Sequence, residues 1–163
     1  MFILSMATKA LMESHIKFED TVSYLLAKVT TAFRNSLERQ MGAIGLHGGQ
    51  IFVLLELWKQ DGLRQIDLAK RLNRSAPTVN KMLKGLTEIN LVTRSRLEND
   101  ARSTRIYLTK RGFEIREEIE EQWRELEENC LLGLTEGERS ILVELLGKLR
   151  SAYTGREEPE EEI

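Results

Sequence analysis

Thr78, Asn80, Lys81 and Lys84 stand close together in a short basic stretch. An asparagine amide can bond an adenine edge with both its oxygen and its nitrogen. A lysine can reach guanine O6/N7 or a phosphate, and a threonine can touch a base or a thymine methyl. Arg94 and Arg96 follow, then Arg102 and Arg105. An arginine at the tip of a projecting hairpin, as Arg102 would be, suits a minor groove, where narrow A/T tracts concentrate negative potential. Asp100 would repel phosphate there, so its expected role is structural, pairing with a nearby arginine or bonding turn N–H groups. Nothing comparable points to catalysis. No nucleophile–base pair or metal cluster is apparent, and no cofactor is implied. His15 and His47 with one cysteine are too few ligands for a zinc site. Cys130 lies on an apolar helical face near Glu125, Glu127 and Glu128, which disfavours a reactive thiolate, so a buried structural cysteine is expected.

A polar residue on an exposed helix face is usually just solvated, so the distribution of charge has to decide. The net charge of −2 conceals strong segregation: residues 1–63 are neutral, residues 64–111 carry +8 and residues 112–163 carry −10. A basic block in an otherwise neutral or acidic chain is the footprint of a polyanion partner. No apolar run approaches the ~20 residues needed to span a bilayer. The opening MFILSM is too short for a signal-peptide core and lacks a cationic leader, so a cytoplasmic protein is expected, with Met6 and Met12 as alternative starts.

These groups need elements to hold them. From about Ile16 to Gln40, Val22, Leu25, Leu26, Val29, Phe33 and Leu37 repeat at helical steps, until Gly42 and Gly45 break the pattern. Gln50 to Trp58 is apolar nearly all round and predicts a buried helix, closed by Asp61-Gly62. Gln65 to Leu72 predicts a short helix with Ile66, Leu68, Ala69 and Leu72 inward. After a tight turn, Ser75 can cap a second helix with Pro77 in its first turn, Val79, Leu83 and Leu86 buried, and Asn90 as a left-handed stop. Leu91–Leu97 and Thr104–Leu108 read as strands around a polar tip, Glu98–Ser103. Thr109 can cap a helix carrying Phe113, Ile115, Ile119, Trp123 and Leu126. Thr135 with Glu138 is a capping box opening a last helix with Ile141, Leu142, Leu145, Leu146 and Leu149. The fold class expected is mainly α with a small β-wing, a winged helix-turn-helix between N- and C-terminal helices.

The order and spacing of Gly45-Leu46 with Gln50, Leu68-Ala69, Ser75 with Pro77-Thr78-Val79, Leu91-Val92 with Arg94, Asp100 with Arg102, and Leu108-Thr109 with Gly112 resemble the MarR family of transcriptional regulators. The likeness is dense from Ile44 to Phe113 and extends over roughly residues 16–153. It implies helical dimerisation regions at 16–45 and 112–153 around a DNA-binding region at 46–111, with an N-terminal extension at 1–15 and a disordered acidic tail at 154–163. It further implies a homodimer whose first and last helices interlock, reading a palindromic double-stranded operator with recognition helices about 34–36 Å apart. The DNA-facing residues expected are Arg64, Arg74, Ser75, Pro77, Thr78, Asn80, Lys81, Lys84, Arg94, Asp100, Arg102 and Arg105. Members are often tuned by a small ligand or oxidant, which makes a repressor released by a small-molecule effector the leading expectation. Some relatives sense peroxide with a cysteine close to the first helix, where this chain has none. Tyr24, Arg34, His47, Trp58 and Trp123 could meet in an effector pocket, yet each is as readily core or interface, and no effector residue is assigned.

Four positions depart from the family pattern: Arg64 and His47 replace usual Thr or Ser caps, Asn90 a usual Gly, and Ala101 one wing arginine. The alternative is a winged-helix module for protein–protein assembly, because fold alone does not fix function.

Overall fold

A computed structural model describes residues 16–97 and 100–154, without the side chains of 96–103 and 154. The chain divides into two compact units, residues 1–122 and 123–163. After a single 3-10 turn, Phe18–Asp20, the elements run α1 (Val22–Gly42), α2 (Gln50–Lys59), β1 (Leu63–Arg64), α3 (Gln65–Arg71), α4 (Ala76–Glu88), β2 (Val92–Leu97), β3 (Asp100–Leu108), α5 (Lys110–Glu114), α6 (Arg116–Cys130) and α7 (Glu136–Thr154). The architecture is mainly helical with one small antiparallel sheet, as expected from the sequence. No described helix is long and apolar enough to cross a membrane.

The core of the first unit is built from Leu46, Ile51, Leu54 and Leu57 around α2, Leu68 of α3, Val79, Leu83 and Leu86 of α4, and Val92 and Ile106 of the sheet, all buried. Local chemistry starts and stops the elements that carry these residues. Asn73 (φ 46°) and Asn90 (φ 58°) take the left-handed conformation that ends α3 and α4. Gly62 (φ 72°) follows Asp61, whose carboxylate accepts the Leu108 N–H at 2.9 Å and so ties the turn to β3. Thr109 caps α5 by accepting the Gly112 N–H at 3.0 Å. The predicted capping box of α7 forms within the second unit: Thr135 accepts the Glu138 N–H at 3.3 Å, and Glu138 accepts the Thr135 N–H at 2.8 Å.

Several expectations need correction. Ile66 is 58% exposed; two residues from Leu68, it lies about 200° around the helix from that buried position. Cys130 is exposed rather than buried; it is the last residue of α6, where the apolar periodicity runs past the packed region. The helix expected from Thr109 is interrupted at Ile115, which separates α5 from α6. Phe52 is 39% exposed, so α2 is not buried all round. The sheet also gains a strand the periodicity did not suggest, β1, which pairs Leu63 with Ile106 and Arg64 with Arg105. The expectations for residues 1–15, the tail 155–163 and residues 98–99 of the Glu98–Ser103 tip lie outside the described residues, while the backbone of 100–103 extends β3 beyond the expected Thr104 start.

Candidate nucleic-acid interface

The tight turn between α3 and α4 is set by backbone bonds: the Asn73 N–H reaches Lys70 O and the Arg74 N–H reaches Ala69 O, both at 3.0 Å. Ser75, in extended conformation, then caps α4, its hydroxyl accepting the Thr78 N–H at 3.4 Å and lying 2.8 Å from the Thr78 hydroxyl. Pro77 sits in the first turn, where its missing N–H removes no helical bond. With Val79, Leu83 and Leu86 buried, the opposite face of α4 holds Thr78, Asn80, Lys81 and Lys84 in solvent. Arg74 is exposed in the turn just before it. Lys84 is 3.9 Å from Glu88, a loose surface pair that leaves its ammonium free to move.

Three of the expected arginines have partners within the chain. Arg64, the residue before α3, makes a two-pronged pair with Asp67, at 2.7 and 2.9 Å, in place of a hydroxyl cap. That bond holds the Asp67 carboxyl below the usual carboxylate range. Arg105 donates to Gly62 O at 2.8 Å and so braces the turn before β1. Arg94 donates to Asn80 Oδ1 at 3.0 Å, joining the wing to the exposed face of α4. The strand register explains this last contact. In the antiparallel sheet, ordered β1-β3-β2, Val92 pairs with Leu108 and Arg94 with Ile106. Arg94 therefore shares the core-facing side of the sheet and emerges at its rim beside α4.

Asn80, Lys84, Thr87, Glu88 and Arg94 together line an open groove of about 430 Å³ between α4 and β2. Thr87 and Glu88 were absent from the residues expected to face DNA, although Asn80, Lys84 and Glu88 follow one another at four-residue steps. The backbone of Asp100 and Arg102 belongs to β3, but their side chains lie outside the described residues. Of the residues that could meet in an effector pocket, His47 Nδ1 is 2.7 Å from Glu38, Trp58 donates to Gly112 O at 3.1 Å, and Lys28 lies over Tyr24.

A short helix, a tight turn, a capped helix with an exposed basic face and an antiparallel hairpin define a winged helix-turn-helix. Residues 46–104 match the MarR family model. The chain is 31% identical over 107 residues to the HTH-type transcriptional regulator YdgJ of Bacillus subtilis, a match covering 66% of this chain and 65% of YdgJ, just under two thirds of that relative. It is 28% identical over 103 residues to the organic hydroperoxide resistance transcriptional regulator of the same organism, covering 63% of this chain and 70% of that one. Among solved structures, a probable transcriptional regulator from Pseudomonas aeruginosa shares the fold with a TM-score of 0.75 at 22% identity, over 82% of this chain and 99% of that one. Bordetella bronchiseptica BpsR, solved for the regulation of its DNA binding by 6-hydroxynicotinic acid, shares it with a TM-score of 0.73 at 24% identity, over 79% and 98%. These matches are to transcriptional regulators rather than enzymes. Residues 46–104 of this chain are thus a winged helix-turn-helix of the MarR kind.

Proposed function

We propose that this protein is a homodimeric, sequence-specific DNA-binding regulator, a repressor released from a palindromic operator by a small-molecule effector. The observation that carries the reading is the solvent face of α4, where Thr78, Asn80, Lys81 and Lys84 stand beside a wing inside a segment of net charge +8. Lys81, Lys84 and Arg74 supply cations for phosphate or guanine, Asn80 reads a base, and Ser75 and Pro77 fix the start of the helix. Arg64 and Arg105 shape the surface through Asp67 and Gly62. Asp100 and Arg102 carry the wing's contribution.

Dimerisation is supported by apolar side chains left in solvent: Val22, Leu25 and Val29 of α1 are 67, 52 and 63% exposed, and Ile141, Leu145 and Leu146 of α7 are 57, 50 and 43% exposed. On each helix, an exposed apolar stripe of this kind marks an interaction site. Release by an effector is supported by BpsR alone, whose DNA binding responds to 6-hydroxynicotinic acid.

Titrating labelled duplexes selected from a random pool tests the reading. Affinity is expected to fall about 10³–10⁵-fold between about 50 and 200 mM salt if the dimer makes roughly 6–10 phosphate contacts. Lys81→Ala/Lys84→Ala should weaken binding and flatten that salt dependence. Light scattering on the same samples should return twice the 18.8 kDa chain mass. A monomer, or a wild type that binds no duplex at the lower salt, would point to the assembly-module alternative.

A further inference from the structure

We propose that Arg94 fixes the hydrogen-bonding polarity of Asn80, so that Asn80 meets DNA as a donor and selects a base edge rich in acceptors. The inference rests on the DNA-binding reading above and adds a positioning residue and a direction of base preference to it.

A guanidinium has five N–H donors and no acceptor. Asn80 must therefore turn its carbonyl oxygen, not its NH₂, towards Arg94, and the 3.0 Å contact has that sense. The two Nδ2–H donors then project from the other side of the amide. An unrestrained asparagine pairs with adenine by accepting from N6–H₂ and donating to N7. With one Oδ1 lone pair taken by Arg94 and the oxygen turned towards the wing, the accepting half of that pair is weakened. The edge that suits the remaining donors best is guanine, with its two adjacent acceptors N7 and O6. The contact is placed by the fold, because strand register sets Arg94 opposite Ile106 and on the side of the sheet that meets α4. Lys84, also on the groove wall, adds a second donor-only group four residues along the same helix face. Glu88, the carboxylate of that wall, lies at the far end of the row and 3.9 Å from the Lys84 ammonium. The near end of the groove is thus lined by donors. Closing it against DNA excludes water and strengthens the Arg94–Asn80 bond rather than competing with it.

Selection from a random duplex pool with the full-length wild type, Asn80→Asp and Arg94→Met tests this, with a thermal melt to confirm that each variant folds. Both side chains are exposed, so the fold should survive. The wild type is expected to prefer G·C over A·T at one base pair of each half-site, by about 5- to 150-fold. Asn80→Asp still faces Arg94 but offers only acceptors, and should switch the preference to cytosine N4 or adenine N6. Arg94→Met frees Oδ1 and should shift the preference towards adenine with the salt slope unchanged. A role for Arg94 as a mere phosphate contact predicts instead an unaltered preference and a salt slope smaller by about one. Unaltered base preferences in both variants, or a wild-type preference for adenine at that pair, overturn the proposal while leaving DNA binding intact. A wild type that binds no duplex overturns both.

Discussion

Gly85 sits in the body of α4, where glycine costs helix stability, and the structure shows why an alanine does not stand there. A Cβ at position 85 would overlap Nε2 of Gln50, the first residue of α2. Gln50 has little freedom to retreat: it is 4% exposed, and its Oε1 accepts the His47 N–H at 2.8 Å. Replacing Gly85 by alanine therefore sets two effects against each other. The helix gains about 0.5–1 kcal/mol from reduced backbone entropy. Relieving the overlap either breaks the Gln50–His47 bond and strands the buried Gln50 amide, or parts α4 from α2, each at roughly 1–3 kcal/mol. The overlap should win by about 1–2 kcal/mol, lowering Tm by roughly 2–8 °C for a chain of this size. In a Gln50→Ala background the obstacle is gone, and the same substitution should stabilise by about 0.5–1 kcal/mol. Thermal and urea unfolding of the four proteins, at one protein concentration because linkage in the proposed dimer would make Tm concentration-dependent, reads the coupling directly. The sign of the Gly85→Ala effect must reverse between backgrounds. If the two substitutions add to within about 0.5 kcal/mol, the contact does not constrain position 85 and the reasoning fails.

Two further outcomes follow from local geometry. Thr109→Ala should destabilise by about 1–2 kcal/mol, because one hydroxyl both accepts the Gly112 N–H and donates to Asn90 O at 2.6 Å; Thr109→Ser should retain most of that in the same melts. Glu38 is held below its ordinary value of 4.5 first by the side-chain bond to His47 and then by the Gly48 N–H at 2.8 Å. A depressed carboxyl contributes stability above its unfolded value and loses it as pH falls through the folded one. The Tm difference between wild type and Glu38→Gln should therefore be largest near about pH 7 and shrink towards about pH 3; a difference constant across that range would contradict the assignment.

What could be read from the sequence was governed by short range. The Ser75 cap, the left-handed Asn90, the Thr109 cap and the Thr135–Glu138 box each involve residues a few positions apart, so residue type and spacing were enough to place them. The buried Val79, Leu83 and Leu86 followed from helical period alone, and with them the identity of the opposite, solvent-facing side. Contacts between distant segments were not legible. Strand β1 is two residues long and exists because β3 offers it partners, so no alternation could announce it. That Arg94 reaches Asn80, 14 positions away in sequence, depends on the register of β2 against β3, which hydrophobic pattern constrains but does not number. Arg64 and Arg105 looked like two more free cations; their partners, Asp67 and the Gly62 carbonyl, become apparent once the β1 turn is folded.

The periodicity of α1 presents the opposite case, a pattern that the single chain does not satisfy. Val22, Leu25 and Val29 recur at three- and four-residue steps, the signature of a stripe meant for burial, yet more than half of each side chain's surface is in water. Leu37 and Met41 continue the helix and are buried, so the failure is confined to its N-terminal half. Helical period reports burial in the functional assembly, whereas accessibility in one chain reports burial in that chain alone. Apolar residues at core spacing but uncovered within their own unit are the surface that the proposed dimer would cover. At roughly 25 cal/mol per Å² of apolar area removed from water, leaving such a stripe bare forgoes several kcal/mol, comparable with the whole stability of an ordinary domain. The proposed dimer restores that term, and it also gives two recognition helices the fixed separation that reading a palindrome demands.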